Sequence, residues 1–121
     1  MRDLAKRLVA GIASQNERAI AECFATDAEL RALIPSGLRE RTGAAEAAAL
    51  IARWFGDSTE LDLVHTDAED VGDRFHIAYR FVGVEGGDPY IVEQHLYCVV
   101  NEDRIQKAHL LCSGFRPRIR E

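Results

Sequence analysis

The chain has 121 residues, which is the size of one ordinary domain, and 47% of them are hydrophobic, enough to form a core. It carries 15 basic and 20 acidic side chains, and the net charge of −5 argues against a general binder of nucleic acids or anionic membranes. No apolar run approaches the roughly 20 residues of a membrane span, and the N-terminus lacks the unbroken apolar region of a signal peptide, so we expect a cytoplasmic protein.

The first half of the chain has the apolar periodicity of helices. An amphipathic first helix is predicted from the N-terminus, and Ser14 with Glu17 forms a capping box that opens a second helix. A short strand over residues 28–35 and a loop over residues 36–43 are predicted next. Thr42 is a suitable N-cap for a third, alanine-rich helix.

After Gly56 the apolar periodicity changes to two, which is typical of strands. Four strands are predicted, over residues 60–71, 73–84, 89–100 and 104–115, and the short polar breaks between them suit hairpins. Three helices with one strand, followed by an antiparallel meander, indicate the α+β class. We see no repeat and no linker, so residues 1–121 are expected to form a single domain.

A carboxylate, an imidazole and a phenol alternate along the third of these four strands. Glu93, His95 and Tyr97 are each two residues apart, so an extended strand places them on one face. Successive residues on that face are roughly 7 Å apart at the backbone, so we expect no easy contact between Glu93 and His95. A ligand or water could bridge them, with His95 as acid or base near neutral pH. The alternative is a hydrogen-bonded histidine with a purely structural role.

The connection at Gly86-Gly87 decides which residues share that face. A two-residue loop places Arg80 opposite Glu93, and His76 opposite Tyr97, whereas a three-residue loop shifts the register by one. With the two-residue loop, the other face holds Phe75, Ile77, Tyr79, Phe81, Leu96 and Cys98. If helices cover the polar face, it forms a partly polar cavity and the apolar face needs a second copy of the chain. If helices cover the apolar face, the polar side chains are solvated.

The order and spacing of these elements resemble the nuclear transport factor 2-like superfamily, in its SnoaL-like branch. The stretches ECFATDAEL, RTGAAEAAALIARWF and DRIQKAHLLCSGF carry the resemblance, which covers nearly the whole chain. It implies a cone, in which a curved antiparallel sheet and three N-terminal helices enclose a hydrophobic pocket. Members of the superfamily include polyketide cyclases, ketosteroid isomerases and dehydratases as well as non-enzymatic ligand binders. Many are homodimers through the outer face of the sheet.

The resemblance also assigns expected roles to particular residues. His95 falls where ketosteroid isomerases hold the protonated aspartic acid of their oxyanion hole, so it would lie on the pocket wall with Glu93 and Tyr97. Phe24, Leu110 and Cys112 would line the pocket as well, and Trp54 would wall it. The tyrosine and the catalytic aspartate of those isomerases fall at Leu8 and near Ala32, which are apolar, so isomerase chemistry does not carry over.

Two functions from different classes follow as hypotheses. The first is a cofactor-free isomerase, cyclase or dehydratase acting on an apolar or polycyclic molecule, in a cytoplasmic homodimer. Its expected catalytic residues are His95 and Glu93, and its expected ligand contacts are Tyr97, Arg80, His76, Phe24, Trp54, Leu110 and Cys112. The second is a non-catalytic module for ligand binding or dimerisation, which a filled core without a cavity would favour.

No cofactor and no metal are expected in either case. The four histidines lack the local spacing of a metal site. The odd number of cysteines, without a CxxC motif, predicts reduced and buried thiols at Cys23, Cys98 and Cys112.

Overall fold

Residues 1–119 are described in the computed structural model, and they form the predicted α+β fold with three helices. The described residues contain seven strands, where the sequence predicted five. In chain order the elements are α1 (Arg2–Ala13), α2 (Glu17–Ala21), β1 (Phe24–Ile34), β2 (Gly37–Thr42), α3 (Ala44–Phe55), β3 (Ser58–Val71), β4 (Arg74–Glu85), β5 (Asp88–Asn101), β6 (Arg104–Cys112) and β7 (Arg116–Pro117).

All seven strands belong to one curved sheet that does not close on itself. The strand order is β2-β1-β6-β5-β4-β3, with β7 paired to β5, so the predicted meander of four strands is confirmed. Neighbouring strands are antiparallel except β1 and β6, which run parallel. Register shifts interrupt the ladders in β1, β3 and β5, and such bulges bend a sheet.

The hairpin between β4 and β5 has the predicted two-residue loop. Gly86 and Gly87 have φ of 57° and 84°, the left-handed conformation that a type I′ turn requires and glycine adopts without strain. Arg80 is therefore opposite Glu93, and His76 opposite Tyr97. The predicted register is confirmed.

The three helices cover the apolar face of the sheet. Phe75, Ile77, Tyr79, Phe81, Leu96 and Cys98 are buried in one cluster with Leu4, Leu8, Ile12, Ile20, Ala47, Ile51 and Phe55 of the helices. We call the opposite face, which carries Glu93, His95 and Tyr97, the outer face. Of the two arrangements that the sequence left open, the structure has the one in which helices lie on the apolar side.

The segment predicted as a loop over residues 36–43 is largely strand. Residues Gly37–Thr42 form β2, which pairs with β1 from Ile34 to Glu29 and extends the sheet by one edge strand. Its alternating half-buried and exposed residues and its run of charges are typical of an edge.

The predicted helix starts need correction as well. Asn16, and not Ser14, caps α2 by accepting a hydrogen bond from the Ala19 amide at 3.1 Å, while the Ser14 hydroxyl donates to the Ala10 carbonyl at 2.8 Å. Thr42 does not cap α3, because it still belongs to β2; Gly43 is the N-cap.

Within residues 1–119 the longest helices have 12 residues, and none is long and apolar enough to cross a membrane.

We expect Gly83→Ala to destabilise the protein, because a Cβ there would lie 2.6 Å from the Glu60 carbonyl oxygen and 2.5 Å from the Tyr90 hydroxyl. Overpacking of this kind costs about 1–3 kcal/mol of unfolding free energy, which urea denaturation measures. Gly86→Asn is the control, since nothing lies within 4 Å and asparagine tolerates the φ of +57° there. Wild-type stability in Gly83→Ala would contradict this close approach.

Candidate functional site

The predicted catalytic residues lie on the outer face and not on the helix-covered side. Burial alternates along β5, so that Gln94, Leu96 and Cys98 are buried while Glu93 and His95 are half-buried. The expectation that Glu93, His95 and Tyr97 line the pocket wall is therefore wrong for this chain. The same holds for His76 and Arg80, their partners on β4. Burying the aromatic and aliphatic residues of the other face removes more apolar surface from water, and this decides which side the helices cover.

The outer-face side chains nevertheless form one connected cluster. Arg80 donates to Oε1 of Glu93 from Nε at 3.0 Å and from Nη2 at 2.7 Å, as the predicted cross-strand pair requires. His95 Nε2 lies 3.1 Å from Oε2 of Glu93, so the expectation that these two side chains do not touch is wrong. Side chains two apart on a strand can lean along it and close the backbone gap.

His76 and Tyr97 complete this cluster. His76 Nε2 lies 2.9 Å from His95 Nδ1, and the His76 and Tyr97 rings stack at 4.7 Å between centres with 21° between their planes. The hydrogen bonds from His95 and Arg80 lower the pKa of Glu93 below its usual range, which keeps this carboxylate ionised near neutral pH.

The other predicted residues lie on the helix-covered side of the sheet. Phe24, Leu110 and Cys112 are buried, and the last two pair with Leu96 and Gln94 of β5. The predicted set therefore divides into two groups on opposite faces, and only the second group borders the core.

Trp54 and Cys112 meet at a small apolar pocket that opens to the surface. Its volume is about 190 Å³, and its other lining residues are Ile34, Pro35, Ser36, Gly114 and Phe115. It lies where α3, the turn between β1 and β2, and the end of β6 converge. The remaining predicted core residues, Phe24 and Leu110, do not line it. We call it the Trp54 cavity.

The sequence reasoning missed a buried polar network beside the Trp54 cavity. The Tyr79 hydroxyl donates to Gln94 Oε1 at 2.6 Å, and Gln94 Nε2 and the Gly114 amide each donate to Cys112 Sγ at 3.4 Å. The signal was available, because Gln94 has the same parity along β5 as Leu96 and Cys98. A polar residue on an apolar face needs a partner.

Burial keeps the Tyr79 hydroxyl and the Cys98 thiol protonated. It raises the pKa of Tyr79 well above its usual range, and it raises the pKa of Cys98 to about 12. Tyr79 is thus a hydrogen-bond donor and Cys98 a neutral thiol at any physiological pH. Within residues 1–119 we find no group of three or more His, Cys, Asp or Glu side chains arranged to hold a metal ion.

A larger groove of about 380 Å³ runs between α1 and β3 and contains none of the predicted residues. It is lined by Arg2, Ala5, Lys6, Val9, Ala10, Leu63, Thr66, Asp67 and Ala68. Charged side chains at both walls distinguish it from the apolar Trp54 cavity.

We expect Tyr79→Phe to leave Gln94 Oε1 buried without its donor, which costs about 1–3 kcal/mol of unfolding free energy. The double variant Tyr79→Phe/Gln94→Leu removes both polar partners and should recover part of that loss. Chemical denaturation of the two single variants and the double variant measures the coupling. Strictly additive effects would contradict a direct hydrogen bond between these side chains.

The comparison with solved structures supports the fold, whereas the two sequence comparisons found no match. No family model matches the chain, and no curated protein sequence matches it significantly. Among solved structures, a protein with a ketosteroid isomerase-like fold from Catenulispora acidiphila, in complex with trimethylamine, has a TM-score of 0.73 at 19% identity, covering 88% of this chain and 82% of that one.

Two further solved structures have the same fold. A candidate polyketide cyclase from Xanthomonas campestris has a TM-score of 0.72 at 17% identity and covers 91% of this chain and 87% of its own. A candidate isomerase from Bacillus subtilis has a TM-score of 0.77 at 12% identity, with 92% and 84% covered. The chain therefore has the ketosteroid isomerase-like cone fold of the nuclear transport factor 2-like proteins, as the sequence resemblance implied.

Proposed function

We propose that this protein binds a small apolar molecule in the Trp54 cavity and does not catalyse a reaction on it. The observation that carries the proposal is the position of the acid–base side chains. His95 and Glu93 point away from the core, while the large interior side chains Phe24, Tyr79 and Phe81 are each no more than 1% exposed. Among the described residues, those that line the Trp54 cavity include no histidine and no carboxylate.

The interior positions at which related isomerases carry their catalytic groups support the same conclusion. Leu8 and Ala32 are both fully buried, with 0% exposure, and neither can donate or accept a proton. Of the residues that line the Trp54 cavity, Cys112 is the one with a titratable side chain, and its sulfur already accepts two hydrogen bonds. General acid–base catalysis needs a proton-transferring group within reach of the ligand.

The size of the cavity narrows the class of ligand. At about 190 Å³ it is smaller than the roughly 300–1,000 Å³ of most ligand pockets, so a polycyclic molecule does not fit. An apolar cavity of about 150 Å³ admits a benzene ring. The Catenulispora acidiphila protein of the same fold, which is in complex with trimethylamine, is a precedent for a ligand of this size.

Trp54 is the only tryptophan, so its fluorescence reports directly on the Trp54 cavity. We expect titration with toluene to change the emission saturably. Ile34→Phe, which fills the cavity, should abolish the change. The matched control is Leu33→Phe, because Leu33 is the neighbouring residue on the outer face and is 51% exposed. Equal responses from the two variants would contradict binding in this cavity.

We further propose that the outer face pairs with a second copy of the chain. An apolar row crosses three adjacent strands here: Leu38, Leu33 and Leu111 are register neighbours and are 45%, 51% and 52% exposed. Tyr97, on β5, is 42% exposed beside them. Exposed apolar residues clustered on one face are typical of an interface, whereas single ones are not.

The charges on the outer face are distributed unevenly across the sheet. β3 contributes the acidic Glu60, Asp62, Asp67 and Glu69, whereas Arg31 of β1 and Lys107 of β6 are each paired with a carboxylate of the same face, Glu40 and Glu29. A second copy that packs on the apolar row should therefore keep its acidic β3 away from the β3 of its partner, because like charges brought together repel.

We expect Leu111→Glu to convert the dimer to a monomer, because it places a charge in the apolar row. Sedimentation velocity measures the change. Leu63→Glu is the control: Leu63 is 40% exposed but shares the helix side of the sheet with its register partner Phe81. A wild-type protein that is monomeric at high micromolar concentration would exclude this pairing.

A further inference from the structure

The imidazoles of His76 and His95 meet edge to edge. Their facing nitrogens, Nε2 of His76 and Nδ1 of His95, are 2.9 Å apart, while the ring centres are 5.1 Å apart and the planes differ by 10°. For facing nitrogens 2.9 Å apart, the distance between ring centres is greatest when both nitrogens lie on the line that joins the centres. The observed distance is close to that limit. The two rings therefore lie nearly in one plane, and the N–H of one points straight at the lone pair of the other.

Glu93 sets the direction of this chain of hydrogen bonds. Its Oε2 lies 3.1 Å from Nε2 of His95, and an ionised carboxylate can only accept, so the proton is on Nε2 of His95. In the neutral ring Nδ1 is then the acceptor, and His76 donates to it from Nε2. The Nδ1 of His76 is left as the open end of the chain.

The chain accommodates one added proton but not two. A first proton enters at Nδ1 of His76 and leaves every hydrogen bond in place. A second proton must go to Nδ1 of His95, where it faces the N–H of His76 at 2.9 Å. Two donors cannot hydrogen-bond to each other, and the two imidazolium charges repel, so the rings have to separate.

We propose that the Glu93–His95–His76 chain is a proton-operated switch on the outer face, closed with no more than one added proton and opened by the second. Opening it exposes His76, which is only 9% exposed beneath the Tyr97 ring. The two histidines thus respond to acid as one unit, with macroscopic steps that belong to the pair.

Other charged and titratable groups on the outer face act on this pair. By strand they are His65, Asp67 and Glu69 on β3, Arg74 and Arg80 on β4, Glu93 and Tyr97 on β5, and His109 on β6. Glu69 is the register partner of His76 and favours the first proton. Arg80 is engaged by Glu93, so these two charges compensate each other.

A consequence for assembly rests on the proposed function. The register partner of His95 on β6 is Leu111, so the switch lies within the face assigned to the second copy. Two imidazolium charges there would weaken the pairing of the two copies, and the dimer should dissociate as the pH falls. The switch itself does not require a dimer.

Nitrogen-15 NMR of the histidine side chains in the full chain tests the switch. At neutral pH both His76 and His95 should be Nε2–H tautomers, and on acidification the hydrogen-bonded Nε2–H signals should survive the first proton and disappear with the second. His65 and His109 serve as internal references. A Nδ1–H tautomer at His95, or simple independent titration of His76 and His95, would overturn the proposal.

Matched variants distinguish the Glu93–His95–His76 hydrogen bonds from the stacking of the Tyr97 ring on His76. Glu93→Gln replaces a pure acceptor with a group that donates as well, so His95 should populate both tautomers. Tyr97→Phe keeps the ring over His76 and should titrate like the wild type. Unchanged tautomers in Glu93→Gln would refute the role of Glu93. Sedimentation velocity at neutral and acidic pH tests the effect on assembly separately. A protein that is monomeric at every pH would overturn the proposed dimer. The proposed switch would still be decided by the NMR experiment.

Discussion

The two-residue turn at Gly86-Gly87 is the constraint from which the rest of the structure follows. It sets the register of β4 against β5, and a slip of one residue would move every side chain to the opposite face. Arg80 would then point into the helices. Burying its charge without a partner would cost far more free energy than burying an apolar side chain gains. The aromatic side chains of Tyr79 and Phe81 would face water instead. One turn conformation therefore decides both the composition of the core and that of the outer face.

This sorting places two polar systems back to back across the same two strands. On the core side, Tyr79 and Gln94 satisfy each other, and Gln94 passes a second hydrogen bond to Cys112. On the outer side, Glu93 and His95 belong to a chain of hydrogen bonds that runs from Arg80 to His76. The Tyr79 hydroxyl of the interior system keeps its proton at physiological pH because burial raises its pKa, whereas the outer system contains the side chains of the proposed proton switch. Fixed packing and pH response are thus confined to opposite faces of one sheet.

Much of this could be predicted from sequence because the determining signals are local. The hairpin register and the Arg80–Glu93 pair follow from a glycine turn and from counting along two strands. The face that the helices cover does not follow from counting, and the family comparison placed His95 on the wrong side. β2 was missed because its charges, which protect an edge strand from mispairing, resemble those of a loop. The contact between Glu93 and His95 depends on side-chain reach, which backbone spacing ignores.

The Trp54 cavity could not be derived from any single segment, since it forms where α3 meets the end of β6. That meeting also links it to the outer face. Cys112 lines the cavity, and the next residue, Ser113, binds the Glu93 backbone twice: its hydroxyl accepts from the Glu93 amide at 2.9 Å, and its own amide donates to the Glu93 carbonyl at 2.9 Å. Ser113 therefore connects the cavity lining at Cys112 to the backbone of Glu93. The cavity and the proton chain meet at this one ladder position between β5 and the end of β6.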